Sequence, residues 1–276
     1  MGGMILIWCV FSLLMAQSSA KIEYTIQAIR YGTIPQFAVS GLVVGAAPDE
    51  KMDIPLMFWL IRNAGRSILL DCGFHRPAWI ERFKVADYIR PDEALRQLGV
   101  DPSKINDIIL SHAHWDHAGG IDLFPKATVW MQRAEFDYYT GPAWQEGGKR
   151  GGIDREDVDG LLQRQINGTL RLIDGDDREI LPGIRVFTGA RHTYASQYLC
   201  IVGNPTYVLA SDNCYLYRNL ETRTAIPTFE PADREANLRE LDRMVRLAGA
   251  PERVIPGHDP LVFERFPSKG RVATIK

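Results

Sequence analysis

The segment His112-Ala113-His114-Trp115-Asp116-His117 packs three of the chain's six histidines and an aspartate into six consecutive positions. Neutral imidazole and carboxylate together are ligand types for zinc, and equally for iron, cobalt or manganese. In extended backbone alternate side chains point the same way, so His112 and His114 can reach one cation. Asp116 and His117 follow as the chain turns toward Gly119-Gly120 and can reach a second cation nearby. A lone histidine is more often a surface or capping residue; a cluster at this spacing reads as a ligand set.

Three further candidates lie downstream, each just past a short apolar run. His192 follows Ile184–Thr188, Asp212 follows Thr206–Ala210, and His258 follows Arg253–Ile255 within Pro256-Gly257-His258. Taken singly, each could be a loop or capping residue. Taken with the first motif, they complete a set of five histidines and two aspartates. Two metals sharing such a set can lower the pKa of a common water toward neutrality, which makes hydrolysis the expected chemistry.

Elements that would position these residues are legible as alternating apolar patterns. Strands are expected at Ile22–Arg30, at Leu56–Arg62 and Ser67–Asp71 as a hairpin around Asn63-Ala64-Gly65, and at Ile108–Leu110 and Ala127–Met131. Later strands are expected at Leu170–Ile173, Ile184–Thr188, Gln197–Val202, Thr206–Ala210 and Arg253–Ile255. Helical spacing marks Trp79–Phe83, Asp92–Leu98 between Pro91 and Gly99, the region Arg133–Tyr139, and Asp233–Leu247 before Gly249. The stretch Gly141–Gly160, rich in glycine and charge, reads as a long surface loop, and its part Gly141–Gly152 with Trp144 as a rim or lid. One α/β domain over residues 21–276, with two β-rich halves and helices outside, fits this order.

Composition sets bounds. Hydrophobic residues make up 46% and charged residues 24%, enough for a substantial core. The formal net charge of -2 gives no electrostatic reason to expect nucleic acid as a partner. Residues 1–20 carry no Lys, Arg, Asp or Glu; Met4–Met15 is almost entirely apolar and Gln17-Ser18-Ser19-Ala20 follows. This is the pattern of a cleavable signal peptide, so a secreted or periplasmic product without a stable membrane span is expected. Its removal would take Cys9 and leave Cys72, Cys200 and Cys214, too few for a stapled scaffold, and no CxxC pair exists for a zinc ribbon. Asn167-Gly168-Thr169 is a glycosylation sequon whose use depends on the host.

His-x-His-x-Asp-His, a distant His, a distant Asp and a final Gly-His resemble the signature of the metallo-β-lactamase superfamily, and Asp71-Cys72-Gly73 resembles its early Asp-x-Gly turn. The resemblance implies a four-layer αββα sandwich with a dinuclear site at the edge of its sheets. It implies that His112, His114 and His192 hold one metal, that Asp116, His117 and His258 hold the other, and that Asp212 bridges them. The metals would be two divalent ions, zinc by preference. Asp71 would orient a ligand histidine, or else cap a turn.

Within the superfamily the chain looks most like the N-acyl-homoserine lactonases. Tyr215 stands three residues after Asp212, where those enzymes keep a tyrosine against the substrate carbonyl. By that resemblance a metal-bridging hydroxide opens a lactone, with Asp116 moving the proton and Tyr215 steadying the oxyanion. Thioester, β-lactam or phosphodiester hydrolysis on the same site is the alternative, and an oxidoreductase or non-catalytic binder the remoter one. The third-histidine loop departs from the family's common Gly-His pattern and reads Arg191-His192-Thr193-Tyr194, which makes Arg191 and Tyr194 candidate substrate contacts. Met57, Phe58, Trp59 and Trp115 are candidates for an apolar acyl wall, with ordinary core the expectation for most of them. The implied partner is a small molecule; a homodimer is left open.

Overall fold

The computed structural model describes residues 23–276, so the expected signal peptide lies outside the described residues. The first half of the chain builds an eight-stranded sheet. Its strands are β1 (Thr25–Ala38), β2 (Lys51–Asn63), β3 (Arg66–Leu70), β4 (Asp107–Ile109), β5 (Thr128–Gln132) and β6 (Leu170–Ile173). Two C-terminal strands, Ser268–Lys269 and Val272–Thr274, close its other edge against β1. The second sheet holds five strands: β7 (Arg178–Leu181), β8 (Ile184–Thr188), β9 (Gln197–Ile201), β10 (Tyr207–Ser211) and β11 (Val254–Pro256), in the order β11-β10-β9-β8-β7.

Alternation along β2 shows why the two sheets stack. Leu56, Phe58 and Leu60 pack on one face with residues of the outer helices, whereas Met57, Trp59 and Ile61 face the second sheet's Ile184, Val186, Leu199 and Leu209. A strand covered on both sides reads as a continuous apolar run, as in parallel-sheet proteins. Met57, Phe58 and Trp59 are therefore core, each at most 1% exposed, and are not among the residues lining the cleft described below.

Helices α1 (Pro77–Phe83), α2 (Pro91–Gln97), α3 (Trp115–Ala118), α4 (Arg133–Tyr139) and α5 (Arg155–Ile166) belong to the first sheet's half of the chain. Ala94, Leu95, Ala118, Phe136, Tyr139, Val158 and Leu161 pack in that sheet's outer cluster. Helix α6 (Tyr217–Glu221) and helix α7 (Arg234–Ala248) follow; Leu241, Met244 and Ala248 of α7 cover the outer face of the second sheet at Tyr198, Cys200 and Val208. A last short helix, α8, spans Val262–Arg265. The layers are thus helix, sheet, sheet, helix: the αββα sandwich.

Several elements differ from the sequence expectation: β1 and β2 run longer, α6, α8 and the two C-terminal strands were not expected, and α5 and β7 show why. Helix α5 begins within the stretch expected to be a loop, because its buried stripe is only Asp157, Val158, Leu161 and Arg164. The Arg164 guanidinium completes that stripe by donating to the carbonyls of Ile121, Phe124, Pro125 and Ala127. Edge strand β7 has one buried residue, Leu181, and carries no alternation to find. Cys72, Cys200 and Cys214 are buried and free. No helix among the described residues is long and apolar enough to cross a membrane.

Candidate metal centre and cleft

The seven residues come from loops at the carboxyl ends of strands in both sheets. His112 and His114 follow β4, and α3 starts at Trp115, so Asp116 and His117 sit on its single turn. Asp212 directly follows β10 and His258 lies two residues past β11; these two strands are parallel and deliver both residues to the same edge. The approach is close: a Cβ on Gly257 would stand 2.7 Å from the carbonyl of Ser211 and 3.0 Å from Asp212 Oδ1, so only glycine fits. Ser211 itself takes a positive φ of 46°, a strained position held by its hydroxyl donating to Asp71 Oδ2 at 3.0 Å.

The structure brings all seven together in two groups. His112, His114, His192 and Asp212 form one; Asp116, His117 and His258 form the other. In the first, His114 Nδ1 lies 3.0 Å from His112 Nε2 and 2.9 Å from His192 Nε2. In the second, Asp116 Oδ2 lies 3.5 Å from His117 Nε2 and 3.7 Å from His258 Nε2. Asp212 serves both. Its Oδ2 faces His112 at 3.6 Å and His192 at 3.3 Å; its Oδ1 faces His117 at 3.2 Å and His258 at 3.1 Å.

Outer hydrogen bonds decide which ring nitrogens carry protons. His117 Nδ1 donates to Asp71 Oδ2 at 2.8 Å, and His258 Nδ1 donates to the Pro55 carbonyl at 2.9 Å. His112 Nδ1 donates to Ser111 Oγ at 2.8 Å, and Ser111 in turn donates to Asp71. The loop carrying Gly151 and Gly152 backs His114; a Cβ on Gly152 would meet the His114 ring at 2.8 Å. Each inner nitrogen of these donors is left with a lone pair aimed at other lone pairs or at carboxylate oxygens. That arrangement is repulsive unless a proton or a metal cation stands among them, and a metal-bound histidine held through its other nitrogen is the usual solution. Two buried atoms without any partner, His117 Nε2 and Asp212 Oδ1, point the same way. The donor set of imidazoles and carboxylates fits a divalent transition metal.

Electrostatics divide the cluster. Burial pushes the His112 pKa well below the usual imidazole value, lowers that of His114, and drives that of His192 down to about 3. For His117 and His258 burial also works against the charge, but Asp212 and Asp116 outweigh it and raise both, with Asp71 adding to His117. Burial opposes ionisation of Asp212 and Asp116, yet His117 and His258 hold both carboxyls below the usual range.

Asp71 was open between turn cap and orienting group, and its geometry is that of both. It sits at φ 61° directly after β3 and accepts from the Ser111 backbone at 2.7 Å while facing His117. Tyr215 lines the cleft beside Asp212; its hydroxyl is 3.3 Å from His192 Nδ1. Burial, reinforced by Asp212 and Asp116, raises its pKa well above the ordinary phenol value, so it stays protonated. Arg191 and Tyr194 are brought elsewhere. The Arg191 guanidinium lies 5.1 Å from the Tyr194 ring and 5.0 Å from that of Phe229, with Asp233 at 3.7 Å, and Tyr194 stacks on Tyr138 at 4.0 Å. Both flank His192 on the same loop, but their side chains turn to Phe229, Asp233 and Tyr138 and are not among the cleft's wall residues.

The cleft holds about 120 Å³ over the cluster, walled by Ile34, Phe37, Leu42, Ile54, Phe83 and Trp115. Trp115 is the one wall residue expected from sequence. The others sit on a long hairpin and on α1, and no local signal distinguishes them from core. Phe83 and Trp115 stack at 5.0 Å, and Trp79 stacks on Trp115 at 4.7 Å. Sequence reasoning also missed Glu135, a carboxylate buried in α4 whose surroundings are described below.

Residues 57–258 match the model of the metallo-beta-lactamase superfamily. The chain is 30% identical over 237 residues to the N-acyl homoserine lactonase AttM of Rhizobium radiobacter, covering 78% of this chain and 85% of that protein. It is 31% identical over 183 residues to the AttM lactonase of Rhizobium johnstonii, a match spanning 63% of this chain and 65% of that one, a little under two thirds. Among solved structures, a quorum-quenching N-acyl homoserine lactone lactonase superposes with a TM-score of 0.73 at 22% identity, covering 90% of this chain and 96% of the other. AidC, a dizinc quorum-quenching lactonase in complex with a product N-hexanoyl-L-homoserine, superposes with a TM-score of 0.67 at 19% identity over 87% of this chain and 89% of its own. The chain belongs to the metallo-beta-lactamase superfamily, where it stands with the N-acyl homoserine lactonases.

Proposed function

We propose that the protein opens the lactone ring of N-acyl homoserine lactones, using two zinc ions held by His112, His114 and His192 on one side and Asp116, His117 and His258 on the other, with Asp212 shared. The observation that carries this reading is the Asp212 carboxylate, which turns one oxygen to each group of histidines. The names of the relatives supply the substrate class. When bound, the metal pair supplies an acidified water as nucleophile and Lewis-acid polarisation of the carbonyl.

The remaining steps fall to this chain's own groups. His192 Nδ1 donates to the Tyr215 oxygen, which leaves the phenol's own O–H free to donate into the cleft toward a developing oxyanion. Water adds to the lactone carbonyl carbon, the ring C–O bond breaks, and the leaving alkoxide takes a proton relayed by Asp116. Asp116 is suited to this because its Oδ2 lies at the second group while its side chain lines the cleft. The acyl chain lies on the wall formed by Ile34, Phe37, Leu42, Ile54, Phe83 and Trp115.

A pH-stat assay of ring opening on an acyl-homoserine lactone, beside a chromogenic β-lactam and a phosphodiester, tests the substrate class. Lactone turnover at least about a hundredfold above the other two in kcat/KM is expected; preference for either of those would replace the reading. Export is part of the proposal and rests on the apolar Met4–Met15 segment. N-terminal sequencing of protein recovered from outside the cytoplasm should begin near Lys21.

A further inference from the structure

Glu135 stands in the first turn of α4 and is 1% exposed. Burial pushes its carboxyl up to about 7. Among the described residues no arginine, lysine or histidine pairs with it; three neutral donors do. Oε1 accepts the Ala113 backbone N–H at 3.0 Å and the Thr193 hydroxyl at 2.6 Å, and Oε2 accepts the Ala195 backbone N–H at 2.6 Å. A buried carboxyl without a cation is costly, and saturation by directed donors is what makes it tolerable.

The donors are the informative part. Ala113 lies between His112 and His114, on the loop that leaves the eight-stranded sheet after β4. Thr193 and Ala195 follow His192, on the loop that leaves the five-stranded sheet after β8. The feet of the two loops are already joined where Gln197 donates its backbone N–H to the Ser111 carbonyl at 2.8 Å and its amide to the Leu110 carbonyl at 2.7 Å. Glu135 joins their tips. No hydrogen bond of Glu135 reaches α3, which carries Asp116 and His117, or the loop carrying His258.

We propose that Glu135 is a positioning residue that fixes the spacing of His192 against His112 and His114, and so sets the affinity of that half of the centre for its metal without touching metal or substrate. The inference rests on the two-metal reading above. Its signature is one-sided, since a general structural role would weaken both halves alike.

Glu135→Gln is the sharpest probe. The amide oxygen still accepts from Ala113 and Thr193, but its nitrogen opposes the Ala195 N–H, while the Gln197 bonds keep the loop feet together. Zinc alone, in competition with a chromogenic chelator, should give two ions per chain for the wild type. In Glu135→Gln one ion should bind about ten- to a hundredfold more weakly, the range for losing a partner that orients a ligand. The other should stay within about threefold of wild type. In a His258→Ala background the remaining zinc belongs to the first group, and adding Glu135→Gln should weaken it by the same factor, about ten- to a hundredfold. Thr193→Val, which deletes one donor, should act in the same direction by about threefold and decides the matter if Glu135→Gln does not fold. Equal weakening of both ions, or wild-type affinities in these variants, overturns the proposal. A wild type that binds no zinc overturns the metal reading instead.

Discussion

The two halves of the metal centre are built from nearly the same side chains and live in different electrostatic worlds. In the half formed by His112, His114 and His192, burial dominates and the rings are driven neutral. Their outer contacts are neutral as well: a serine hydroxyl, the Tyr215 phenol, and the glycine-bearing loop behind His114. In the half formed by His117 and His258, carboxylates surround the rings and raise their proton affinity. Whether an imidazole arrives at a metal neutral or protonated is therefore set by the carboxylates around it, and neither by residue type nor by the strand that delivers it, since His112, His114 and His117 all follow β4. One half is preorganised by geometry, the other by charge.

Replacing the group common to both halves should have the largest effect. Asp212→Asn removes the shared charge, so lactone kcat/KM should fall at least about a thousandfold and both zinc ions should be lost, as read by metal analysis of the purified protein. Survival of one ion at full affinity would mean the halves are independent. Tyr215→Phe should lower kcat by about a hundredfold with zinc content unchanged, because it deletes a transition-state donor and no ligand. Asp71→Asn should weaken zinc about ten- to a hundredfold, and mainly in the carboxylate-rich half, since Asp71 bonds His117 directly and reaches His112 only through Ser111.

The pH response should separate the halves most finely. His117 and His258 hold protons to higher pH than an ordinary imidazole, and those protons must leave when a cation enters. Lowering the pH from 8 thus restores competition there first. His192, with its pKa near 3, offers no proton competition until far lower. Zinc titrations at falling pH should show one ion released before the other, with the Asp116–His117–His258 ion leaving first. Simultaneous release would erase the distinction drawn above.

How much of this was visible in the chain depends on the range of the signal. The motif at 112–117 is local and was legible, as were the helix bounded by Pro91 and Gly99 and the strand ends before His192, Asp212 and His258. The bounds of β1 and β2 were not, because the hairpin continues past Arg30 through register shifts between Arg30 and Gly32 and between Ile34 and Phe37. Those shifts break the alternation that marks a strand. The acyl wall was legible only at Trp115, and ordinary core was the better expectation for the rest. Met57, Phe58 and Trp59 look like a wall on paper, but a strand buried on both faces offers no exposed side. Glu135 gave no signal because its meaning lies wholly in which two distant loops it touches.

The hairpin of β1 and β2 has a consequence for how this protein can change. Ile34, Phe37, Leu42 and Ile54, most of the apolar lining, belong to that hairpin and its connecting segment, while the seven candidate ligands all lie beyond residue 111. Apart from Phe83 and Trp115, the apolar lining and the candidate ligands are thus carried by separate stretches of polypeptide. A lineage could widen, narrow or redirect its diet by editing hairpin side chains such as Phe37 and Leu42, provided the Pro55 carbonyl that holds His258 stays in place.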